Sequence, residues 1–172
     1  MKTSVALFLS VVLLSLPTQA NAQGRFVQFV GGVAKDVAAD PTTYGPFGAS
    51  LVGKKLDWDS SQIFFRNGHY ELNPDYTVSG RPNDRAISYG AGNRKLVIRG
   101  LSALYWSLGN NGVVSAGERL LLKKYPEHRK LIKTIGWIEK VAANGYIGYY
   151  SSRKNFRQWR TNENMARQLG YR

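Results

Sequence analysis

The chain has no cysteine, only two histidines, and eleven acidic residues set against 24 lysines and arginines. Each shortage removes a class of answer. Without cysteine there are no structural disulfides and no lipoprotein anchor, so stability must come from packing alone. With His69 and His128 far apart, no second histidine stands at metal-ligand spacing, and no zinc signature is present. The nucleophile elbow Gly-x-Ser-x-Gly, the Walker A loop and the dinucleotide fingerprint are all missing. Nothing here argues for a cofactor or for a catalytic residue.

Long apolar runs are scarce too. One stands at the N-terminus: Lys2 precedes an apolar run from Val5 to Leu16, Pro17 breaks it, and Ala20-Asn21-Ala22 places small residues at the −3 and −1 positions. That pattern reads as a cleavable secretory signal over residues 1–22, with Gln23 as the expected mature N-terminus. The run is shorter than the roughly 20 residues a bilayer span needs. No twin arginine precedes it, which fits the general secretory route. Residues 23–172 are then expected to form a single domain, exported to the periplasm or cell envelope.

Positive charge is abundant and lopsided. From Arg94 to Arg172 sixteen basic residues face four acidic ones, a net +12, whereas residues 1–93 carry eight basic and seven acidic residues. Such asymmetry points to a polyanionic neighbour. Anionic lipid or another envelope polyanion is the favoured partner, with nucleic acid ranked below. The stretch Arg153, Lys154, Arg157, Trp159 and Arg160 interleaves cations with an aromatic ring, the composition of an interfacial helix, and is the candidate anionic-surface binding site.

The periodicity predicts an all-α fold, a small helical bundle. Helices are expected over 26–37 and 44–67, the second closed by Asn67-Gly68. Residues 69–93 are crowded with turn signals and read as a long ordered loop, within which 76–78 and 86–89 are able to pair as a small hairpin. A central helical hairpin follows over about 95–152, turning at Tyr125-Pro126-Glu127-His128, and a separate basic helix near 155–169 ends the chain. In the first arm of the hairpin Val97, Leu101, Leu104, Leu108, Val114, Leu121 and Leu122 are expected to face the core; in the second arm, Leu131, Ile135, Ile138, Ala142, Tyr146 and Tyr149. Gly100, Gly109, Gly112 and Gly117 would together cost about 3–4 kcal/mol in an isolated helix. Close helix–helix approach at Gly109, Gly112, Ala116 and Gly117 is expected to offset that cost, with Asn110 and Asn111 bonding between helices.

A transmembrane hairpin is the main alternative, because residues 100–117 carry no charge. Against it stand Asn110 and Asn111 inside the stretch, Glu139 and Lys140 at the centre of the partner helix, and cation clusters at both ends of that helix. A third reading is a metal or acid–base site at Asp57, His69 and Glu71. There His-x-Glu on extended backbone points two side chains to one face, and a helical carboxylate completes the set. His128, in a run of charged residues, reads as a solvated helix-start residue. Gly90-Ala91-Gly92 at a helix entry is a weak anion cradle.

Asp57-Trp58-Asp59-Ser60-Ser61, followed by Gly68, Glu71 and Asn73-Pro74, carries one family resemblance. It is similar to a pattern in uncharacterised small helical bacterial envelope proteins, where an aspartate and hydroxyl residues on one helix precede a Gly-x-x-Glu-x-Asn-Pro turn. The resemblance covers about a third of residues 23–172. It implies a helical architecture and no chemistry. Those proteins are more hydrophobic and look membrane-embedded, and this chain departs from them in its charged helix centres. The expectation is therefore an exported, non-enzymatic, cationic bundle held peripherally on an anionic envelope surface.

Overall fold

In a computed structural model, residues 20–171 are described; residues 1–19 of the expected signal segment lie outside them. Four α-helices account for most of the described chain: α1 Ala20–Ala39, α2 Gly45–Arg66, α3 Tyr89–Lys124 and α4 Arg129–Gln168. The fold is a small all-α bundle, as the periodicity predicts.

The helix ends follow local chemistry. Asp40 stops α1 and turns the chain, its carboxylate accepting from the Thr42 N–H at 3.0 Å and the Thr42 hydroxyl at 2.7 Å, while Pro41 opens a single 3-10 turn. Gly68, at φ +82°, provides the left-handed residue after α2. The Ser88 hydroxyl accepts from the Ala91 N–H at 3.3 Å and caps α3. Helix α3 therefore begins at Tyr89, about a turn and a half before the expected start at Lys95, and Gly90-Ala91-Gly92 sits in its first turn rather than in the loop. Pro126 separates α3 from α4.

The separate C-terminal helix does not exist. Helix α4 runs unbroken for 40 residues, about 60 Å at the usual rise. The polar run at Ser151–Asn155 satisfies itself inside the helix. The Ser151 and Ser152 hydroxyls donate back to the Gly148 carbonyl at 3.1 and 2.7 Å, and the Asn155 amide to the Ser151 carbonyl at 3.4 Å. No proline or left-handed residue interrupts it.

Helices α3 and α4 form the antiparallel hairpin, and α2 lies against both. The 67–88 loop closes over one end of the bundle, where Tyr76 packs with Trp58 and Leu96, flanked by Phe65, Ala86 and Ile87. Its two arms meet only at isolated antiparallel bridges, Glu71 with Asp84 and Thr77 with Ala86, so the expected hairpin is reduced to bridge pairing.

The interior reverses the expected facing. On α3 the buried positions are Gly92, Leu96, Gly100, Ala103, Ser107, Asn111, Ser115 and Glu118; on α4 they are Gly136, Lys140, Asn144, Gly148, Ser152 and Asn162. Most of the large side chains expected inside are outside: Val97, Leu101, Leu108, Leu121, Leu131, Ile135, Ile138, Tyr146 and Tyr149 are all exposed, while Leu104, Val114 and Leu122 are half-buried. The reason is steric and electrostatic together. Small residues on the inner stripe let the helices approach closely. An added Cβ at Gly53 would lie 3.2 Å from the Ser152 carbonyl oxygen, and one at Gly148 would lie 3.4 Å from the Pro46 Cα. The polar residues on the same stripe bond to one another. Ser107 donates to the Thr43 carbonyl at 2.5 Å, Asn111 to the Thr43 hydroxyl at 2.7 Å, and Asn144 to the Asn111 side-chain Oδ1 at 2.7 Å.

Asn111 thus makes the interhelical bonds expected of it, and Asn110 adds a long one across to Glu139 on α4, at 3.5 Å. The expected glycine contacts do not form: Gly109, Gly112 and Gly117 face open space, and Gly92, Gly100, Gly136 and Gly148 take the close approaches.

Candidate functional site

Two polar clusters lie along the buried stripe, and a basic, aromatic surface runs along the outside of α4.

The first cluster is an ion network between α1, α3 and α4. Lys140 Nζ lies 3.3 Å from Asp40 Oδ2 and 3.4 Å from Glu118 Oε1, with both the Lys140 and Glu118 side chains under a tenth exposed. The half-exposed Lys133 closes on the other oxygen of Glu118 at 2.5 Å. Burial pushes the Asp40 carboxyl up, but the Thr42 hydroxyl and N–H and the Lys140 ammonium outweigh it and hold the group below the usual carboxylate range. Nearby, Arg119 bonds Asp36 at 2.7 Å and the Gly32 carbonyl at 2.9 Å, fastening α1 to α3. Every charge in this cluster is met by an opposite one, which is the arrangement of a structural network.

The second cluster surrounds a cavity of about 540 Å³ between α2, α4 and the 67–88 loop. Asp57, His69 and Glu71 all line it, so the three residues that the sequence grouped stand around one cavity. They do not form a metal set. Among the described residues no group of three or more histidines and carboxylates is placed to hold a metal ion. The His69 ring is engaged by the Tyr171 hydroxyl at 2.8 Å and packs edge-on against Phe64, and Glu71 Oε1 accepts from the Asn73 N–H at 2.7 Å.

Asp57 is held differently. Its carboxyl is reached by the Asn162 amide at 3.4 Å, and the same amide donates to the Ser60 and Ser61 hydroxyls at 3.0 Å each. Burial, reinforced by the Glu71 charge, pushes Asp57 up to about 6. Lys54, one turn earlier on α2, also lines the cavity; it donates to the Ser50 hydroxyl at 2.6 Å and the Ser151 carbonyl at 3.4 Å. Burial and the Arg99 charge hold Lys54 below its usual value. Lys54, Arg99 and Asn162 have no distinctive spacing in the sequence. The alignment of α2 with α4, Pro46 beside Gly148 and Ser61 beside Asn162, brings Asn162 to the cavity beside Lys54, and the packing of α3 against α2 adds Arg99.

On the outer surface Arg153, Lys154, Arg157 and Arg160 are exposed, and Trp159 is half-buried. Lys154 also lines the Asp57 cavity, while Trp159 and Arg160 border a shallow second one with Glu163 and Arg167. The Arg153 guanidinium lies 5.7 Å from the Tyr149 ring centre and 5.0 Å from that of Tyr150. Of the other carboxylates near the loop, Asp59 pairs with Lys55 at 2.5 Å and Asp75 with Arg99. His128 stands 3.6 Å from Glu127 on the surface.

Among the described residues no helix is long and apolar enough to cross a membrane. No family model, curated protein or solved structure matches the chain.

Proposed function

We propose that this protein is a non-enzymatic, exported component of the cell envelope that binds anionic lipid surfaces through the outer face of α4. The supporting observation is the lengthwise order of that face. Leu131, Ile135 and Ile138 are exposed in its first half, Tyr146, Tyr149 and Tyr150 follow, and Arg153, Arg157 and Arg160 come next. Aliphatic groups enter the acyl boundary, tyrosines sit at headgroup depth, and arginines meet phosphate. Arg153, already against two tyrosine rings, joins the aromatic and basic parts. The net +12 of residues 94–172 supplies the long-range attraction to an anionic leaflet. Export is supported by the signal-like pattern over residues 1–22, which fits a periplasmic or envelope location.

Flotation of the purified protein with phospholipid vesicles tests this reading. Association with vesicles rich in anionic lipid, none with pure phosphatidylcholine vesicles, and progressive release by salt are the expected results, because exposed cation–phosphate contacts weaken with ionic strength. Equal association with pure phosphatidylcholine vesicles, or binding to anionic vesicles that salt does not reduce, would overturn it.

A further inference from the structure

The cavity between α2, α4 and the 67–88 loop carries charge of both signs that finds no opposite partner among the described residues. Lys54 bonds only to neutral oxygens, the Ser50 hydroxyl and the Ser151 carbonyl, and among the described residues it has no carboxylate within ion-pair reach. Lys154, at the rim, likewise forms no ion pair among the described residues. Arg99 adds a third cationic group, already engaged by Asp75. On the other side, neither Asp57 nor Glu71 has a cationic partner among the described residues.

We propose that this cavity binds a small zwitterion carrying a primary ammonium a few bonds from a phosphate, the chemistry of phosphoethanolamine. The phosphate would lie against Lys54 and Lys154 with Arg99 behind them, and the ammonium against Asp57 and Glu71. Three cationic groups match a phosphate, dianionic in the free monoester and monoanionic in a lipid diester, better than a carboxylate, and two neighbouring carboxyls match one ammonium. Lys54 and Asp57 are three residues apart, about 4.5 Å along the axis of α2, a separation that a zwitterion with its charges a few bonds apart can span. Each ligand charge also relieves a local conflict: the ammonium that between Asp57 and Glu71, the phosphate that between Lys54 and Arg99. The cavity, about 540 Å³, falls in the usual range for ligand sites and exceeds the headgroup alone, leaving room for a glycerol substituent. The chemistry thus has two sources, the free compound and a lipid headgroup. This proposal does not depend on the surface-binding reading.

Isothermal titration with phosphoethanolamine, ethyl phosphate, ethanolamine and β-alanine tests it, with circular dichroism confirming that each variant is folded. Phosphoethanolamine is expected to bind saturably and about tenfold or more tighter than the other three, one charged contact corresponding to roughly that factor. Asp57→Asn is expected to lower affinity for phosphoethanolamine about tenfold while leaving ethyl phosphate unchanged; Lys54→Met should weaken both. Absence of saturable binding, equal binding of ethyl phosphate or β-alanine, or equal losses for both phosphates in D57N would each overturn the proposal. A second arm separates the sources. If phosphatidylethanolamine in otherwise neutral vesicles captures the wild-type protein but not D57N, the lipid headgroup reaches the site; if only the free compound binds, the ligand is soluble.

Discussion

Replacing Lys140 by methionine keeps the length and apolar stem of the side chain and removes its charge from the middle of the bundle. In the native protein that ammonium stands between Asp40, at 3.3 Å, and Glu118, at 3.4 Å, with its side chain 7 % exposed. Glu118 is as deeply buried and would keep only Lys133, whose side chain is 47 % exposed. Asp40 would keep its two bonds from Thr42. Removing one member of a buried pair costs about 3–5 kcal/mol when the partner is left uncompensated. The partners that remain here bring the expected loss to about 2–3 kcal/mol. Urea unfolding followed by circular dichroism reads this directly, as a fall in midpoint of about 1–2 M at unchanged slope.

Two further variants check the reasoning. Lys133→Met removes an exposed partner of the same carboxylate and should cost no more than about 1 kcal/mol. Adding Glu118→Gln to Lys140→Met removes the stranded charge, and the double variant should recover about 1–2 kcal/mol relative to the sum of the single changes. A loss of less than about 0.5 kcal/mol for Lys140→Met, the level of an exposed pair, would mean that water reaches the network and that the polar interior is not dry.

Asp57→Asn should stabilise the protein at neutral pH, because the native site disfavours the charged form: its carboxyl is raised from 3.8 to about 6. The native state then holds the proton more tightly, so stability falls as pH rises from about 4 to about 6, and the full penalty persists above. Discounted for partial exposure, the gain for D57N is about 1–2 kcal/mol at pH 7 and vanishes below pH 4; a flat difference across that range would contradict it. Gly136→Ala should destabilise by about 1–3 kcal/mol, since the new methyl group would strike the Glu118 carboxylate held by Lys133 and Lys140. Gly117→Ala, into open space, should instead stabilise by about 0.8–1 kcal/mol, and thermal melts compare the two. Changing Arg153, Arg157 and Arg160 together to glutamine should weaken binding to anionic vesicles about a hundredfold, at about 1 kcal/mol per cation near the surface; an unchanged flotation profile would move the contact elsewhere.

The sequence marks where the helices start and stop better than which way they face. Asp40-Pro41, Asn67-Gly68 and Tyr125-Pro126 each bring a physical obligation, a cap, a left-handed residue or a missing N–H, that local structure has to honour. The break expected near Ser152 had no such obligation behind it, only a change in composition, and the helix runs through. Facing is a different kind of question. An amphipathic helix has two stripes of the same period, and periodicity alone does not say which one is buried. On α4 the stripe Gly136, Lys140, Asn144, Gly148, Ser152 recurs every four residues as regularly as the aliphatic stripe opposite. The cavity was half legible. Asp57, His69 and Glu71 stand close enough in sequence to be suspected together, but Asn162 on α4 and Arg99 on α3 join them only through the packing of those helices against α2, which no local pattern encodes.

That inverted facing bears on how the molecule meets its surroundings. A small-and-polar seam holds helices together through hydrogen bonds and ion pairs, so it does not depend on water being expelled from large apolar groups. The outward aliphatic and aromatic side chains are then left with most of their area unburied: Ile135, Tyr146, Tyr149 and Tyr150 are each about 60 % exposed. Each such group forgoes about 1–2 kcal/mol of burial. Summed over the outer faces of α3 and α4, the forgone amount reaches the order of 10 kcal/mol, comparable to the whole stability of an ordinary domain. An apolar surface of that size favours an environment that covers it. Because none of these helices is long and apolar enough to cross a bilayer, a lipid interface that takes the aliphatic groups to shallow depth and leaves the arginines among phosphates satisfies both constraints at once.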